Sequence, residues 1–517
     1  MQVVTRDGRE VVAVDHVGSA HTDSELELLL LAAEDRLRPG QEALDLGPLE
    51  RVGTRVSDVA DWTKTGQEPL AVETSSAGRP RVVAGRGQVL GTSALLLWEV
   101  LSGAYTQLGF DAVGDQTFRS LVLARIIEPT SKADTIRVLG EVGVSAPALN
   151  TIYRCLQRCQ ERDYRSRFAK ACLAHSARTT GKAAFIMYDV TTLHFENDNE
   201  DELRKVGMSK EHRVDPQVQI GLLVDPGGFP LEVQLFEGNK GETKTLIPVL
   251  TGFQQRHGVR DMVVVADAGM LSAANLNALE EAGFKFIVGS RLTKAPYDLA
   301  DHFERHGNYF ADGQVLESAR VMGTGKNARE RRVVYQWSFK RQKRDDRTIN
   351  AQIAKAEKVA TGGAPLKKTR FLKVSGAAKE LDQATIDRAR QLAGLKGYVT
   401  NLPIEVMSGA AVISAYHDLW KVEASFRMTK SDLRARPVFH HRREAIEAHL
   451  TVVFAALAIT RYLTEATGIS IKKIVQTLRT IRSATVDING QELTLEPKIP
   501  EHAKTILEAI GVTKPNG

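Results

Sequence analysis

Only three cysteines occur among 517 residues: Cys155, Cys159 and Cys172. So odd and sparse a set excludes a disulfide framework and fits a reducing compartment, the cytoplasm. Cys155 and Cys159 stand one helical turn apart. No His or second Cys pair completes a zinc site there, so they read as thiols buried on a helix. Long apolar runs are also missing. The longest, Leu450 to Ile459, is too short to cross a bilayer and reads as a core helix. The first residues, Met-Gln-Val-Val-Thr-Arg-Asp, carry no apolar stretch behind a basic one, so no signal peptide is expected. Charge of one sign is scarce: 69 Lys and Arg against 63 Asp and Glu leave a net +6. That balance alone does not announce nucleic acid. No internal repeat and no dinucleotide fingerprint are visible. Gly323-Thr-Gly-Lys326 is not a P-loop, because Arg320 stands where that motif needs its first Gly.

The composition that remains is ordinary: 43% apolar and 26% charged. The length allows two or more domains and a large core. One stretch near the C-terminal end stands out, from Tyr416 through Glu423 and Arg427 to Lys430. No Gly or Pro falls between Ala410 and Arg436, and Pro437 follows, so the segment reads as one helix. At about 100° per residue, Tyr416, Glu423, Arg427, Lys430 and Arg434 lie within roughly 60° of one another. Ala415, Leu419, Val422, Phe426 and Leu433 form an apolar stripe beside them. A helix edge with one carboxylate, a phenol and several cations suits a metal ion and a phosphate; a solvated face of mixed charge is the plain alternative.

Two further acids occupy unusual places. Phe185-Ile-Met-Tyr-Asp189-Val-Thr-Thr-Leu reads as a buried strand, where a carboxylate is costly without a cation. Met262-Val-Val-Val-Ala-Asp267-Ala-Gly269 is apolar until it ends in an acid at a Gly turn. Between them, Gln217–Val224 and Phe229–Phe236 are two strands joined by Asp225-Pro-Gly-Gly228, an antiparallel hairpin. A helix to His257 follows. Ser272 then caps another helix that stops at Gly283, and Lys285–Arg291 is a further strand. Upstream, Ser131–Leu139, a Gly-containing turn and Ala146–Arg158 outline a helix-turn-helix with Ser145 as cap and Pro147 in the first turn. In that outline Asn150, Thr151 and Arg154 face a DNA groove; two packed helices of a helical domain are the alternative. Ser24–Arg36 reads as a helix in a region with no assignable chemistry.

The spacing of Tyr416, Glu423 and Lys430 resembles the Tyr–Arg–Glu–Lys signature of one branch of DDE transposases from bacterial insertion sequences. Leu419 replaces the signature's Arg, and Arg427 is a candidate substitute. The order of elements from Ala183 to Ile459 resembles the ribonuclease-H-like fold of those enzymes. The resemblance implies an α/β protein: a mixed sheet with flanking helices, interrupted by a mainly β insertion, with a helical region before it. The expected divisions are an N-terminal extension (1–92), a helical, DNA-binding region (93–180) and a catalytic core (181–292 and 396–462). An inserted β-rich subdomain (293–395) and a C-terminal region (463–517) complete them.

The same resemblance implies catalytic and metal-binding roles for Asp189, Asp267 and Glu423, holding two Mg²⁺ or Mn²⁺ ions. Clustered carboxylates suit such ions, and a pair about 3.5–4 Å apart can serve an in-line phosphoryl displacement. Tyr416, Arg427, Lys430, Arg434 and Arg154 would contact DNA, and Trp337 would stack on an extruded base or simply pack a small sheet. The basic helix from Lys340 to Ala360 would meet phosphates. The implied partners are double-stranded DNA, both terminal repeats and target, and a second copy of the chain. A nuclease of the same fold that cuts without joining, and a DNA-binding derivative without catalysis, are the competing readings.

Overall fold

The computed structural model describes residues 2–7, 10–16 and 88–511, apart from 181–184, 197–198, 208–214, 260–261, 271, 364, 366–368, 376–377 and 489. The expected helix at Ser24–Arg36 lies outside the described residues. The chain divides into two units, Met1–Val83 and Ala84–Gly517. In the first, β1 (Gln2–Asp7) and β2 (Glu10–His16) pair antiparallel.

The second unit starts with β3 (Gln88–Ser93) and five helices: α1 (Leu95–Gln107), α2 (Gln116–Ile127), α3 (Thr135–Glu141), α4 (Leu149–Glu161) and α5 (Tyr164–Thr180). Asp115 caps α2 by accepting from the Phe118 amide at 3.0 Å, and its other oxygen takes Arg158 and Tyr164. Helix α4 is amphipathic, with Ile152, Cys155, Leu156 and Cys159 buried and Arg154 exposed. It begins later than the sequence suggests: Ala148 is its N-cap, so Pro147 precedes the helix rather than opening it.

Next come β4 (Phe185–His194), β5 (Gln217–Val224), β6 (Pro230–Glu237), α6 (Glu242–His257), β7 (Val263–Ala266), α7 (Ala273–Glu281) and β8 (Lys285–Ser290). The β5–β6 turn forms as its residues dictate. Asp225 accepts the Phe229 amide at 2.9 Å, and Gly228 takes φ 84°, which a side chain would resist. Ser272 caps α7 through the Asn275 amide. The sheet order β6-β5-β4-β7-β8, with β5 antiparallel to β4 and β7 parallel to both β4 and β8, is the ribonuclease-H-like arrangement. Its core is dry: every residue of β5 and β7 is buried.

After two short helices the chain forms β9 (Val315–Met322), β10 (Arg329–Trp337), α8 (Phe339–Ala360), β11 (Leu372–Ser375), β12 (Ala378–Leu381), α9 (Gln383–Gln391) and β13 (Leu395–Thr400). The expected β-rich insertion at 293–395 supplies β9 to β12. Strands β9 and β10 join the main sheet through β13, extending it to eight strands. The remainder is largely helical, with its own small core of Ile349, Ala356, Phe371 and Ile386. Backbone groups on a free sheet edge invite pairing, and the main sheet offered one.

The chain ends with α10 (Gly409–His417), α11 (Trp420–Ser431), α12 (Arg443–Thr467), α13 (Ile471–Arg479), β14 (Ser483–Ile488), β15 (Gln491–Leu495) and α14 (Glu501–Ala509). Helix α12 is long and apolar enough to cross a membrane, yet it is mostly buried and packs on α2, α4 and β6. It is the core helix that its sequence suggests. Strand β14 pairs with β3, so the C-terminal hairpin closes back beside the helical region. All three cysteines are buried free thiols, and burial pushes Cys159 up to about 12, so they are inert.

Candidate active site

The part of the sheet that matters lies in its interior, where β4 and β7 run parallel. Phe185, Ile186 and Met187 pair with Val263, Val264 and Val265. Asp189 lies two residues past the last of these pairs on β4, and Asp267 follows the last residue of β7. Asp189 is half-buried and Asp267 exposed, each accepting the amide of the next residue, at 2.8 and 2.7 Å.

The third acid arrives on a helix that is not the expected one. The segment from Ala410 to Arg436 is two helices, α10 and α11, broken at Asp418–Leu419. Leu419 is buried in the core, so the position where the resemblance expects Arg serves packing here. The break separates Tyr416 from the face that carries Glu423, Arg427 and Lys430. Arg434 lies past the end of α11 in a left-handed conformation, φ 43°, off that helix face altogether.

Asp189 and Glu423 line one open cleft of about 420 Å³, together with Thr191, Arg427, Lys430 and Arg436. Glu423 and Arg427 are exposed. They are one helical turn apart, yet no ion pair joins Glu423 to Arg427 or to any other described residue. Asp267 is tied to the same region by Tyr416. The phenol donates to Asp267 Oδ1 at 3.0 Å, and the ring is 6% exposed. The phosphate contact expected of Tyr416 is not what this geometry displays: the phenol is buried and engaged by an acid. Burial, then the charge and hydrogen bond of Asp267, drive its pKa far above the ordinary value, so it remains a donor. Room for it comes from Gly289 on β8, where a Cβ would stand 2.6 Å from the phenol oxygen.

Sequence reasoning missed Lys396 on β13. Its Nζ sits 4.6 Å from the centroid of the Tyr416 ring. Burial chiefly lowers its pKa, and Arg341 and Arg344 add to this, against the attraction of Asp267 and Glu423. Lys396 also lines a second open groove, of about 490 Å³, whose other wall is Lys340, Arg341, Lys343, Arg344 and Arg347 of α8. The basic run was legible in sequence; its placement beside the acids was not, because β13 and α10 intervene.

Of its two expected roles, Trp337 has the packing one here. It is 7% exposed, its indole donates to the Ala393 carbonyl at 3.1 Å, and it stacks on Phe310 at 5.9 Å. It packs the sheet and offers no face to a base. Arg154 is exposed on α4, away from the acids in sequence and fold.

The donor set, Asp189 on β4, Asp267 just past β7 and Glu423 on α11, suits a hard divalent cation, with no thiolate or imidazole in it. Among the described residues, no three acids or imidazoles already stand close enough to form a finished metal centre.

A mixed sheet with one acid within a central strand, another just past the end of its neighbour, and a third on a flanking helix defines an α/β protein of ribonuclease-H-like build. Residues 180–459 match the family described as the transposase DDE domain, more than half of the chain, and the chain belongs to that family. The family comprises transposases and generally relies on divalent metal ions. No curated protein matches the sequence. Among solved structures, a piggyBac transposase synaptic complex with hairpin DNA is similar at 11% identity and a TM-score of 0.37, over 75% of this chain and 79% of that one.

Proposed function

We propose that this chain cuts DNA at the ends of its own insertion sequence and transfers the freed 3′-hydroxyls into target DNA. Asp189, Asp267 and Glu423 would hold two Mg²⁺ or Mn²⁺ ions. The observation that carries the reading is the shared cleft of Asp189 and Glu423, walled by Arg427, Lys430 and Arg436. When bound, the ions would lower the cost of activating water and of expelling an oxygen at phosphorus. The chain's own residues do the rest. Arg427 and Lys430 hold the phosphates that flank the cut, Tyr416 fixes Asp267, and the α8 groove carries DNA leaving the cleft. Water attacks phosphorus, a P–O bond to water forms, and the P–O3′ bond breaks with a proton delivered to the departing oxygen. The resulting 3′-hydroxyl then attacks a target phosphodiester. That attack forms a new P–O bond and releases a target 3′-hydroxyl.

The partners are the terminal inverted repeats, the target duplex and a second copy of the chain, met in the bacterial cytoplasm. Arg154 and its neighbours on α4 present the surface that would read DNA sequence. The test is cleavage, in Mg²⁺, of a duplex carrying the DNA that flanks the gene. Asp189→Ala, folded by circular dichroism, should yield no product; retained cleavage would sink the assignment. Pre-cut ends offered with a plasmid separate transfer from hydrolysis: joined products support a transposase, and hydrolysis alone a nuclease.

A further inference from the structure

A third cavity, of about 550 Å³, lies where the helical region meets the segment after α11. Arg125 of α2, Lys132 of the following loop, Tyr153 of α4, Arg434 and His440 line it, with His449 of α12 at its base. No carboxylate is among its lining residues. The acids nearest in the chain are engaged elsewhere: Glu128 with Arg137 and Arg479, and Asp134 with Arg137 and Thr130. Lys132 Nζ instead donates to His440 Nε2, which joins the loop to the segment after α11.

The cavity is thus lined by cations and half-closed, while Glu128 lines the small cavity beside it with Arg125 and Lys132. The titrating groups record this. Burial, then Arg125, lowers Lys132 to about 7. Burial, then Lys132, Arg125 and His441, lowers His440 to about 3. Burial leads again at His449, followed by Arg125, Lys132 and His440. Clustered cations partly withdrawn from water cost stability, and an anionic ligand offsets that cost. Arg436 lines both this cavity and the acid cleft, so an anion held here adjoins the reacting DNA.

We propose that this cavity binds a backbone phosphate of DNA, outside the acid cleft, and that the bound phosphate clamps the helical region to the catalytic core. The inference rests on the DNA-transposase reading, but its test needs no cleavage. Binding of a phosphate opposite Lys132 holds a proton on the amine. Affinity is therefore greatest below pH 7 and falls as pH rises through 7, by up to about tenfold per unit for one proton.

The experiment is fluorescence anisotropy of a labelled duplex of the flanking DNA in EDTA, across salt and from pH 6 to 8. Lys132→Gln should weaken binding, reduce the salt slope by about 0.9 and flatten the pH trend. Lys132→Arg, permanently charged, should keep the affinity and salt slope yet lose the pH trend. Loss of one of several crowded cations should not unfold the protein, and thermal melting checks that. If Lys132→Gln binds as the wild type does at every salt and pH, the clamp is overturned while the cleavage reading stands. If inorganic phosphate stabilises the wild type but not Lys132→Gln, with duplex affinity equal in both, the site takes free phosphate and the DNA assignment falls. A wild type that binds no duplex overturns both.

Discussion

Two Tyr–Asp pairs are built on the same eight-stranded sheet, and they differ in one respect. Tyr335 donates to Asp298 at 2.5 Å, and the Arg320 guanidinium closes on the same carboxylate in near-complete burial. Tyr416 donates to Asp267 at 3.0 Å, but no guanidinium or amine among the described residues forms an ion pair with that acid, which is exposed. Glu232 belongs with the first kind, since Arg256 and His257 hold it in the core. A carboxylate whose cation is supplied by the fold is a structural element. One whose phenol orients it, with no cation in contact, has its charge left for something outside the chain. Glu423, exposed beside Arg427 without an ion pair to it, falls in the second group.

The sharpest way to break that contrast is to neutralise both acids. Asp267→Asn should leave the melting temperature nearly unchanged and lower cleavage of flanking DNA by about 10³-fold or more. Asp298→Asn should do the reverse, costing about 3 kcal/mol in urea unfolding while the folded fraction cleaves normally. Equal effects on the two measurements would dissolve the distinction. Trp337→Ala comes next. Its burial predicts a stability loss of about 3–5 kcal/mol, and DNA binding by the remaining folded protein should be unaffected. A binding defect with full stability would restore the base-stacking role.

Tyr416→Phe removes only the donor to Asp267. Unfolding should cost about 1 kcal/mol, and the cleavage rate should fall about ten- to a hundredfold through misplacement of the acid. If Mg²⁺ dependence were unchanged in that variant, Tyr416 would not position Asp267. The smallest effect concerns acid stability. Burial alone would raise Glu232, but hydrogen bonds from His257 and Gln234 and the charge of Arg256 outweigh it and hold the carboxyl below its ordinary value. Its contribution is therefore complete above about pH 4.3, the unfolded value, and is lost as pH falls through the lower folded value. Glu232→Gln should melt with a shallower dependence on pH below that point.

Much of the local architecture was legible because its signals are local. The Asp225–Gly228 hairpin, the Ser272 cap, the basic helix α8, and the core character of α12 all follow from neighbouring residues. The acid in the middle of β4 and the acid at the end of β7 were legible because a carboxylate in an apolar run needs a reason. The errors came where partners distant in sequence decide. Periodicity through Asp418 and Leu419 suits one helix, yet the ladder tightens there, with the Leu419 and Val422 amides bonded three residues back, and the segment divides in two. Trp337 has no local mark that tells a packing aromatic from a binding one; Phe310 and the Ala393 carbonyl settle it. Lys396 and Lys132 look like ordinary surface lysines until the strands and loops around them are placed.

By itself, then, the sequence determined the order of strands and helices, the identity of the suspect acids and the family to which they belong. Side-chain pattern and turn chemistry act over a few residues and survive translation into one dimension. Tertiary structure alone decided which acids receive a cation and which do not, that the 293–395 strands extend the main sheet, and that positive side chains gather in two grooves and a cavity. Electrostatic partnership depends on distance through space and on exclusion of water. Both are set only when segments remote along the chain are brought together.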